Sequence, residues 1–437
     1  MGRLSSWSNI PLVIAGLVAA CGLVAACGDD GAPDRSITPE SDAGAEADVM
    51  SPGDDAGRDG PGDGATADSG GDAGIDAPID APGDTGPIDA GPPAVRFVGR
   101  FDTTAVGGPK VAFPGAQILA RFTGTSVSAT FADEMIFNDY GPTRWAVLID
   151  GVEQTPLSIS RAQNTYVLAT GLPMGVHQVE LSKMTEASVG TSQFMGFDFG
   201  AGALLPPPPP KTRHIEFLGD SASNGYGVEG ASAACSFSAA TQNARKGYPF
   251  LVTQALGADH QSLTTSGKGV SRNYYHPDTE VFSFVYQRTL PFVNGSTWDF
   301  DEYTADVVWI TLGGNDYDRG FPDDPNPPNA AVFQTKYEEL VTLARTKHPA
   351  AHIFCAVAPS LTNAYPVGFD AYTNVKTAIG NVVSAKNGAG DTKVYAFEFT
   401  RSVNADLTAC EGHPNAAKHV AMAAEAVTFI KTKTGWP

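Results

Sequence analysis

From Ala94 onward the chain changes its hydrophobic rhythm once. Up to about Leu205, short alternating or β-rich runs (QILARF, SVSATF, WAVLID, TYVLA, HQVELSK, FMGFDF) are separated by the turn-forming stretches FTGT, DGVE, GLPMG and ASVG. Asp150-Gly151, between two extended runs, is a strong hairpin signal. Regular short strands with no helical period predict an all-β sandwich or jelly roll over residues 94–205. Five consecutive prolines, Pro206–Pro210, then favour a stiff extended boundary. Beyond them the strand-like runs HIEFL, VVWITL, HIFCAV and KVYAFEF alternate with helical stretches. Phe333, Tyr337, Leu340, Val341 and Ala344 recur at helical spacing, and Ala416 to Lys433 reads as a final helix. That alternation predicts a three-layer α/β domain with a mostly parallel sheet over residues 206–437.

The first 93 residues show neither rhythm. Gly28 to Pro93 holds 17 Asp and Glu against two Arg, a net charge of −15 out of −20 for the whole chain, with no aromatic residue. Such a segment cannot bury enough apolar surface to offset the entropy of ordering, so a disordered acidic Gly/Asp/Ala/Pro linker is expected over 28–93. Residues 1–27 carry one charged side chain, Arg3, and an apolar run of 17 residues from Ile10 to Ala26, short for a membrane span and suited to a signal peptide. The repeated LVAAC, ending at Cys21 and Cys27, resembles the bacterial lipoprotein box. Cys27 is the expected lipid anchor because the acidic stretch starts immediately after it, with cleavage and secretion as the alternative. The expectation is an exported bacterial lipoprotein at the cell envelope or outer surface, touching the membrane only through that anchor. Removing the linker and Arg3 leaves a body of net charge −6 (−20 + 15 − 1), which has no basic footprint for nucleic acid.

In a parallel α/β sheet, ligands collect at the carboxyl ends of the strands, and three segments meet that test. Ser221 follows HIEFLGD and opens the Gly-rich turn SASNGYGVEG; a serine hydroxyl there becomes a nucleophile once a base takes its proton. Gly313-Gly314-Asn315-Asp316 follows VVWITL, where an Asn amide could donate to an oxyanion. His413, in CEGHPNAAKH, lies beyond KVYAFEF and before the last helix. His348-Pro349 offers an internal contrast, since it precedes HIFCAV and falls on the opposite, structural face. His352 lies within that strand and His419 on the last helix. No Cys-x-x-Cys pair is present, so no metal is expected, and Cys355 inside HIFCAV reads as an inert core thiol. Cys235 and Cys410 lie in polar loops beside the two candidate segments, and an exported chain can join them as a disulfide.

The order FLGDS, TTSGKG, LGGND and GHP resembles the four blocks of the SGNH, or GDSL, hydrolase superfamily, whose domain is flavodoxin-like. The resemblance implies Ser221 as nucleophile, His413 as base, and an oxyanion hole from the backbone of Ser221 and Gly267 with the side chain of Asn315; Gly269 lies two residues beyond Gly267. A β domain upstream of the hydrolase narrows the match. GRFD, RFTGTS, VLIDG, GVHQVELSKMTEASVG, IEFLGDSASNGYGVEG and CSFSAATQNA look like carbohydrate esterase family 2. That family deacetylates plant polysaccharides and related sugars, without a cofactor, and its architecture joins a cysteine after the nucleophile loop to one near the histidine. One position departs from the superfamily. The Asp usual three residues before the histidine is Cys410 here, and cysteine cannot stabilise an imidazolium as a carboxylate does. The family resemblance, in which some members orient the histidine through a backbone carbonyl, implies a Ser-His dyad, with Glu411 turning inward or Asp406 approaching from the preceding loop as the alternatives.

The reading is therefore a serine esterase removing O-acetyl groups from acetylxylan- or acetylmannan-type polysaccharides through an acyl-enzyme, acting as a monomer. The alternatives are a lipase, arylesterase or thioesterase of other acyl specificity, or an inactive surface carbohydrate-binding lipoprotein.

Overall fold

The computed structural model describes residues 94–136, 140–275, 277–318 and 327–437; the leader and acidic linker expected over 1–93 lie outside the described residues. The first half is an antiparallel β-sandwich. Its strands are β1 (Arg96–Val98), β2 (Lys110–Val111), β3 (Gln117–Gly124), β4 (Val127–Glu134), β5 (Thr143–Ile149), β6 (Val152–Glu153), β7 (Leu157–Ile159), β8 (Asn164–Ala169), β9 (Gly175–Lys183), β10 (Thr191–Asp198) and β11 (Ala203–Leu205). One sheet runs β1-β3-β9-β5-β6, with β11 beside β3 and β7 beside β5, and the other runs β2-β10-β4-β8. The period of two dictates the core: along β4, Val127, Ala129 and Phe131 turn inward and meet Phe122, Trp145, Val179, Leu181 and Phe194 between the sheets. Asp150 (φ 52°) and Gly151 (φ 78°) form the two-residue hairpin between β5 and β6, both in the left-handed region that such a turn demands.

The second half is a parallel five-stranded sheet covered by helices on both faces. β12 (His214–Gly219), β13 (Asp259–Thr264), β14 (Val307–Thr311), β15 (His352–Val357) and β16 (Val394–Glu398) assemble in the order β13-β12-β14-β15-β16. The helices are α1 (Tyr248–Leu256), α2 (Phe282–Tyr286), α3 (Gly314–Tyr317), α4 (Ala330–Lys347), α5 (Ala371–Gly388) and α6 (Ala416–Thr434). Because both faces are covered, the central strands β14 and β15 are almost wholly apolar. Val308 and Ile310 of β14 pack towards α4 and α5, and Val307 and Trp309 towards α1 and α6. Phe333, Tyr337, Leu340, Val341 and Ala344 are the buried stripe of α4. Cys355 is a buried free thiol, pushed up to about 12 by burial. The strand order reverses direction at β12, so a crevice opens between the carboxyl ends of β12 and β14, the usual ligand position in such sheets.

β13 is a strand that hydrophobic patterning does not announce. Its sequence, DHQSLT, is polar, yet every residue is buried, because this edge strand lies against the β-sandwich rather than against solvent. The polar side chains are used there: Gln261 Oε1 accepts from Arg100 Nε at 2.8 Å, and Asp259 pairs with Arg96 of β1.

Arg100 is the centre of that interface. It is fully buried; Nη2 donates to Glu216 of β12 at 2.9 Å, and Nη1 to the carbonyls of Tyr286 and Arg288. The rings of Tyr286, Trp298 and Phe300 surround the guanidinium within 5.0–5.6 Å. His348 completes the cluster: Nδ1 accepts from the Ala305 N–H and Nε2 donates to Glu216 at 3.0 Å, so this histidine is structural and sits at the amino-terminal side of the sheet. Burial alone would raise the Glu216 pKa, but His348 and Arg100 outweigh it and hold the carboxyl below its ordinary value. Removing the cation strands a buried carboxylate. We expect Arg100→Ala to lower unfolding stability by about 3–5 kcal/mol in chemical denaturation, whereas Lys336→Ala, at an exposed i,i+3 pair, changes it by less than about 0.5 kcal/mol.

Candidate active site

Four segments converge at the carboxyl ends of the strands. Ser221 follows β12 by two residues, Gly267 follows β13, Asn315 sits in α3 just after β14, and His413 lies between β16 and α6. Pro414 cannot extend a helix backwards, and the Asn415 side chain caps α6 by accepting from the Lys418 N–H at 2.9 Å; together they fix where the chain leaves the histidine.

His413 Nε2 lies 2.9 Å from Ser221 Oγ, and Nδ1 lies 3.1 Å from the carbonyl oxygen of Cys410. A carbonyl only accepts, so Nδ1 carries the proton and Nε2 is left to accept from the serine hydroxyl. Burial lowers the His413 pKa below its ordinary value, outweighing the upward pull of the Cys410 carbonyl and the Glu411 charge, so the ring is neutral at pH 7.

Neither candidate carboxylate orients the ring. Glu411 points elsewhere: Oε2 accepts from the Tyr226 hydroxyl at 2.7 Å and Oε1 from the Phe237 N–H at 3.1 Å. Asp406 accepts from the Val403 N–H in its own turn. The possible role of Glu411 as the acid behind His413 is thus corrected, and the reason is conformational. Glu411 (φ 57°) and Gly412 (φ 73°) are both left-handed, a turn that brings the Cys410 carbonyl back to the imidazole and sends the Glu411 side chain outward.

The loop that presents this carbonyl is tied down. Cys235 and Cys410 are joined by a disulfide, and the Cys410 and Glu411 N–H groups donate to the carbonyls of Gly227 and Cys235. A Cβ on Gly227 would lie 2.6 Å from Cys410 Cβ, and one on Gly230 would lie 2.2 Å from Cys410 Sγ, so the glycine-rich turn after the nucleophile is the bare surface on which the bridge sits. Tyr226, from the same turn, stacks on His413 (centroids 4.1 Å apart) and on Phe237 (4.2 Å). Both rings stand in segments that carry the family resemblance, SASNGYGVEG and CSFSAATQNA, where their pairing has no local spacing to mark it; Tyr226 held between two glycines is the one signal for it.

On the other side of Ser221, the two glycines of the TTSGKG segment separate. The Gly269 N–H donates to Asn273 Oδ1 at 3.0 Å, whereas the N–H groups of Gly267 (φ 77°) and Ser221 have no acceptor among the described residues. The Asn315 amide donates to the Lys268 carbonyl at 2.9 Å and, at a longer 3.2 Å, to Asp220 Oδ2. Asp220 is buried and pushed up to about 7, first by burial and also by the charge of Asp316, against the Ala222 N–H that it accepts. Asp316 gathers the loop beyond Gly269, accepting from the N–H groups of Val270, Ser271 and Arg272 and from the Ser271 hydroxyl. Among the described residues no group of three or more His, Cys, Asp or Glu is placed to hold a metal ion.

Comparison with known proteins identifies the family of both halves. Residues 97–209 match the family described as carbohydrate esterase 2 N-terminal, and residues 217–420 match the GDSL-like lipase/acylhydrolase family. The chain is 36% identical over 345 residues to the cellulase/esterase CelE of Acetivibrio thermocellus, a match over 79% of this chain but only 40% of that protein's length. It is 25% identical over 332 residues to an acetylxylan esterase/glucomannan deacetylase of Cellvibrio japonicus, covering 74% of this chain and 85% of that one. A solved family two carbohydrate esterase from Clostridium thermocellum, in complex with cellohexaose, superposes with a TM-score of 0.71 at 35% identity, over 79% of this chain and 100% of that chain. With both halves matched in order and a solved relative covered end to end, the chain belongs to carbohydrate esterase family 2, a family of carboxylic ester hydrolases.

Proposed function

We propose that this protein is an O-acetyl esterase acting on acetylated polysaccharides or oligosaccharides of the xylan or mannan type. The observation that carries the reading is the 2.9 Å contact between His413 Nε2 and Ser221 Oγ in the crevice between β12 and β14. Ser221 Oγ attacks the acetyl carbonyl carbon while its proton passes to His413 Nε2. The oxyanion so formed receives the N–H groups of Ser221 and Gly267 and the Asn315 amide, which exchanges its long contact to Asp220 for the developing charge. His413 then gives the proton to the sugar oxygen as the bond between that oxygen and the acetyl carbon breaks, leaving acetyl-serine and a free sugar hydroxyl. Water attacks the acetyl-serine with His413 again taking the proton, and acetate leaves with Ser221 restored.

Acetate release from acetylated xylan, acetylated glucomannan and 4-nitrophenyl acetate tests this. We expect Ser221→Ala and His413→Ala each to lower kcat at least about 10³-fold, and Glu411→Ala to lower it by no more than about tenfold, since that carboxylate only steadies Tyr226 and the Phe237 loop. Equal losses for Glu411→Ala and His413→Ala would restore the carboxylate to the catalytic relay. Octanoyl esters hydrolysed faster than acetyl esters would favour the lipase reading.

The base must be unprotonated to act, and burial holds the His413 pKa below its ordinary value of 6.5. The kcat/KM profile is therefore expected to fall on the acid side with its midpoint below the ordinary histidine value. A midpoint above 7 contradicts a histidine oriented by a neutral carbonyl.

We further propose that the chain is exported and tethered at the cell envelope through a lipid on Cys27, the acidic segment 28–93 serving as the spacer. LVAAC at residues 23–27 supports this. Palmitate is expected to label the full-length protein in cells and to be absent from Cys27→Ser; equal labelling of both overturns the anchor.

A further inference from the structure

We infer that Glu186, contributed by the β-sandwich, is a positioning residue for the oxyanion hole of the other domain. The inference rests on the Ser221–His413 reading and identifies what holds the backbone donor of that site in place.

Glu186 lies in the turn between β9 and β10 and is fully buried. Its Oε2 accepts from the Ser266 N–H at 2.8 Å and from Asn224 Nδ2 at 3.2 Å, and Asn224 Nδ2 also reaches Ser266 Oγ at 3.2 Å. One oxygen thus joins two loops: Asn224 lies three residues after Ser221, and Ser266 immediately precedes Gly267. Holding the Ser266 N–H on one side, and the Gly267 carbonyl through the Tyr274 N–H on the other, leaves the intervening peptide plane, which carries the Gly267 N–H, little freedom to rotate. That N–H has no acceptor among the described residues.

The turn supplying the carboxyl is itself braced. The Glu186 N–H donates to Gln242 Oε1 at 2.9 Å, the Ala244 N–H to the Met184 carbonyl at 2.9 Å, and Lys183 Nζ to the carbonyls of Thr185 at 2.7 Å and Glu186 at 3.3 Å. Gln242 and Ala244 lie in the segment leading from the nucleophile loop into α1, so the bracing crosses between the domains in both directions. Lys183 is fully buried and holds the turn from within the β-sandwich.

The test uses the full-length chain and three substitutions. Glu186→Ala removes the acceptor, Glu186→Met fills the same space without an acceptor, and Glu186→Gln keeps an acceptor oxygen on a side chain of equal length. Steady-state turnover of 4-nitrophenyl acetate is measured alongside the rate at which a fluorophosphonate labels Ser221, followed by intact mass, with near-UV circular dichroism reporting the fold. For Ala and Met we expect kcat and the labelling rate to fall about 10- to 100-fold with KM within about threefold of wild type, as for displacement of a reacting group by about an ångström. Gln is expected to stay within about fivefold of wild type. The inference is overturned if Met labels and turns over within twofold of wild type, if Gln loses as much as Met, or if the losses appear only where the near-UV spectrum is lost. Ser221→Ala separates the two levels: turnover or labelling that survives in it removes the serine mechanism itself, whatever Glu186 does.

Discussion

The hydrogen bond from His413 Nδ1 to the carbonyl oxygen of Cys410 is the contact on which the proposed Ser221–His413 chemistry depends. A carboxylate in that place would fix the tautomer and also stabilise the imidazolium formed when Ser221 gives up its proton. A neutral carbonyl does the first fully and the second only as a dipole, so its direction has to be held firmly. The surrounding structure reads as an answer to that need. The left-handed turn at Glu411 and Gly412 aims the carbonyl, the Cys235–Cys410 disulfide and the Gly227 carbonyl hold the residue that bears it, and Tyr226 covers one face of the ring. The Glu411 carboxylate serves the same end from a distance, through the hydroxyl of Tyr226 and the N–H of Phe237.

The architecture was legible where burial makes a periodic demand on the sequence. Strands sandwiched between two helical layers have no polar face, so VVWITL and HIFCAV read directly, and the α4 stripe falls at 3.6-residue spacing. Asp150-Gly151 was legible because few dipeptides accept two positive φ angles in succession. DHQSLT was not, since β13 is buried against another domain through Gln261 and Asp259, and a polar interface leaves no apolar rhythm. In the site, Ser221, Asn315 and His413 follow from position along the sheet, each on the carboxyl side of a strand. Glu411 did not, because the left-handed backbone that turns its side chain away from His413 is a property of one φ angle. Tyr226 and Glu186 stood inside segments that carried the family resemblance, but their partners are far away in sequence, and no local spacing names them.

The β-sandwich is bound to the hydrolase domain at both ends of the parallel sheet. At the amino-terminal side Arg100 meets Glu216 and, through it, His348; at the carboxyl edge Glu186 meets Ser266 and Asn224. These contacts are buried and directional, so a shift of one domain against the other breaks hydrogen bonds that water cannot replace in place. The two domains are therefore one mechanical unit, and the shape of the site is a property of both.

Three buried carboxyls, Asp220, Glu186 and Asp316, stand close to where the oxyanion forms, an arrangement that at first opposes the reaction, because fixed negative charge repels a developing one. Burial shifts the balance. It raises the pKa of all three, that of Asp220 to about 7, which reduces the charge on Asp220 at neutral pH. What charge remains is met by backbone N–H groups: Asp316 accepts from Val270, Ser271 and Arg272, Glu186 from Ser266, and Asp220 from Ala222. The carboxyls thus shape the hole through the backbone they hold, and the weak 3.2 Å contact between Asp220 and Asn315 is the one link that the oxyanion itself has to displace.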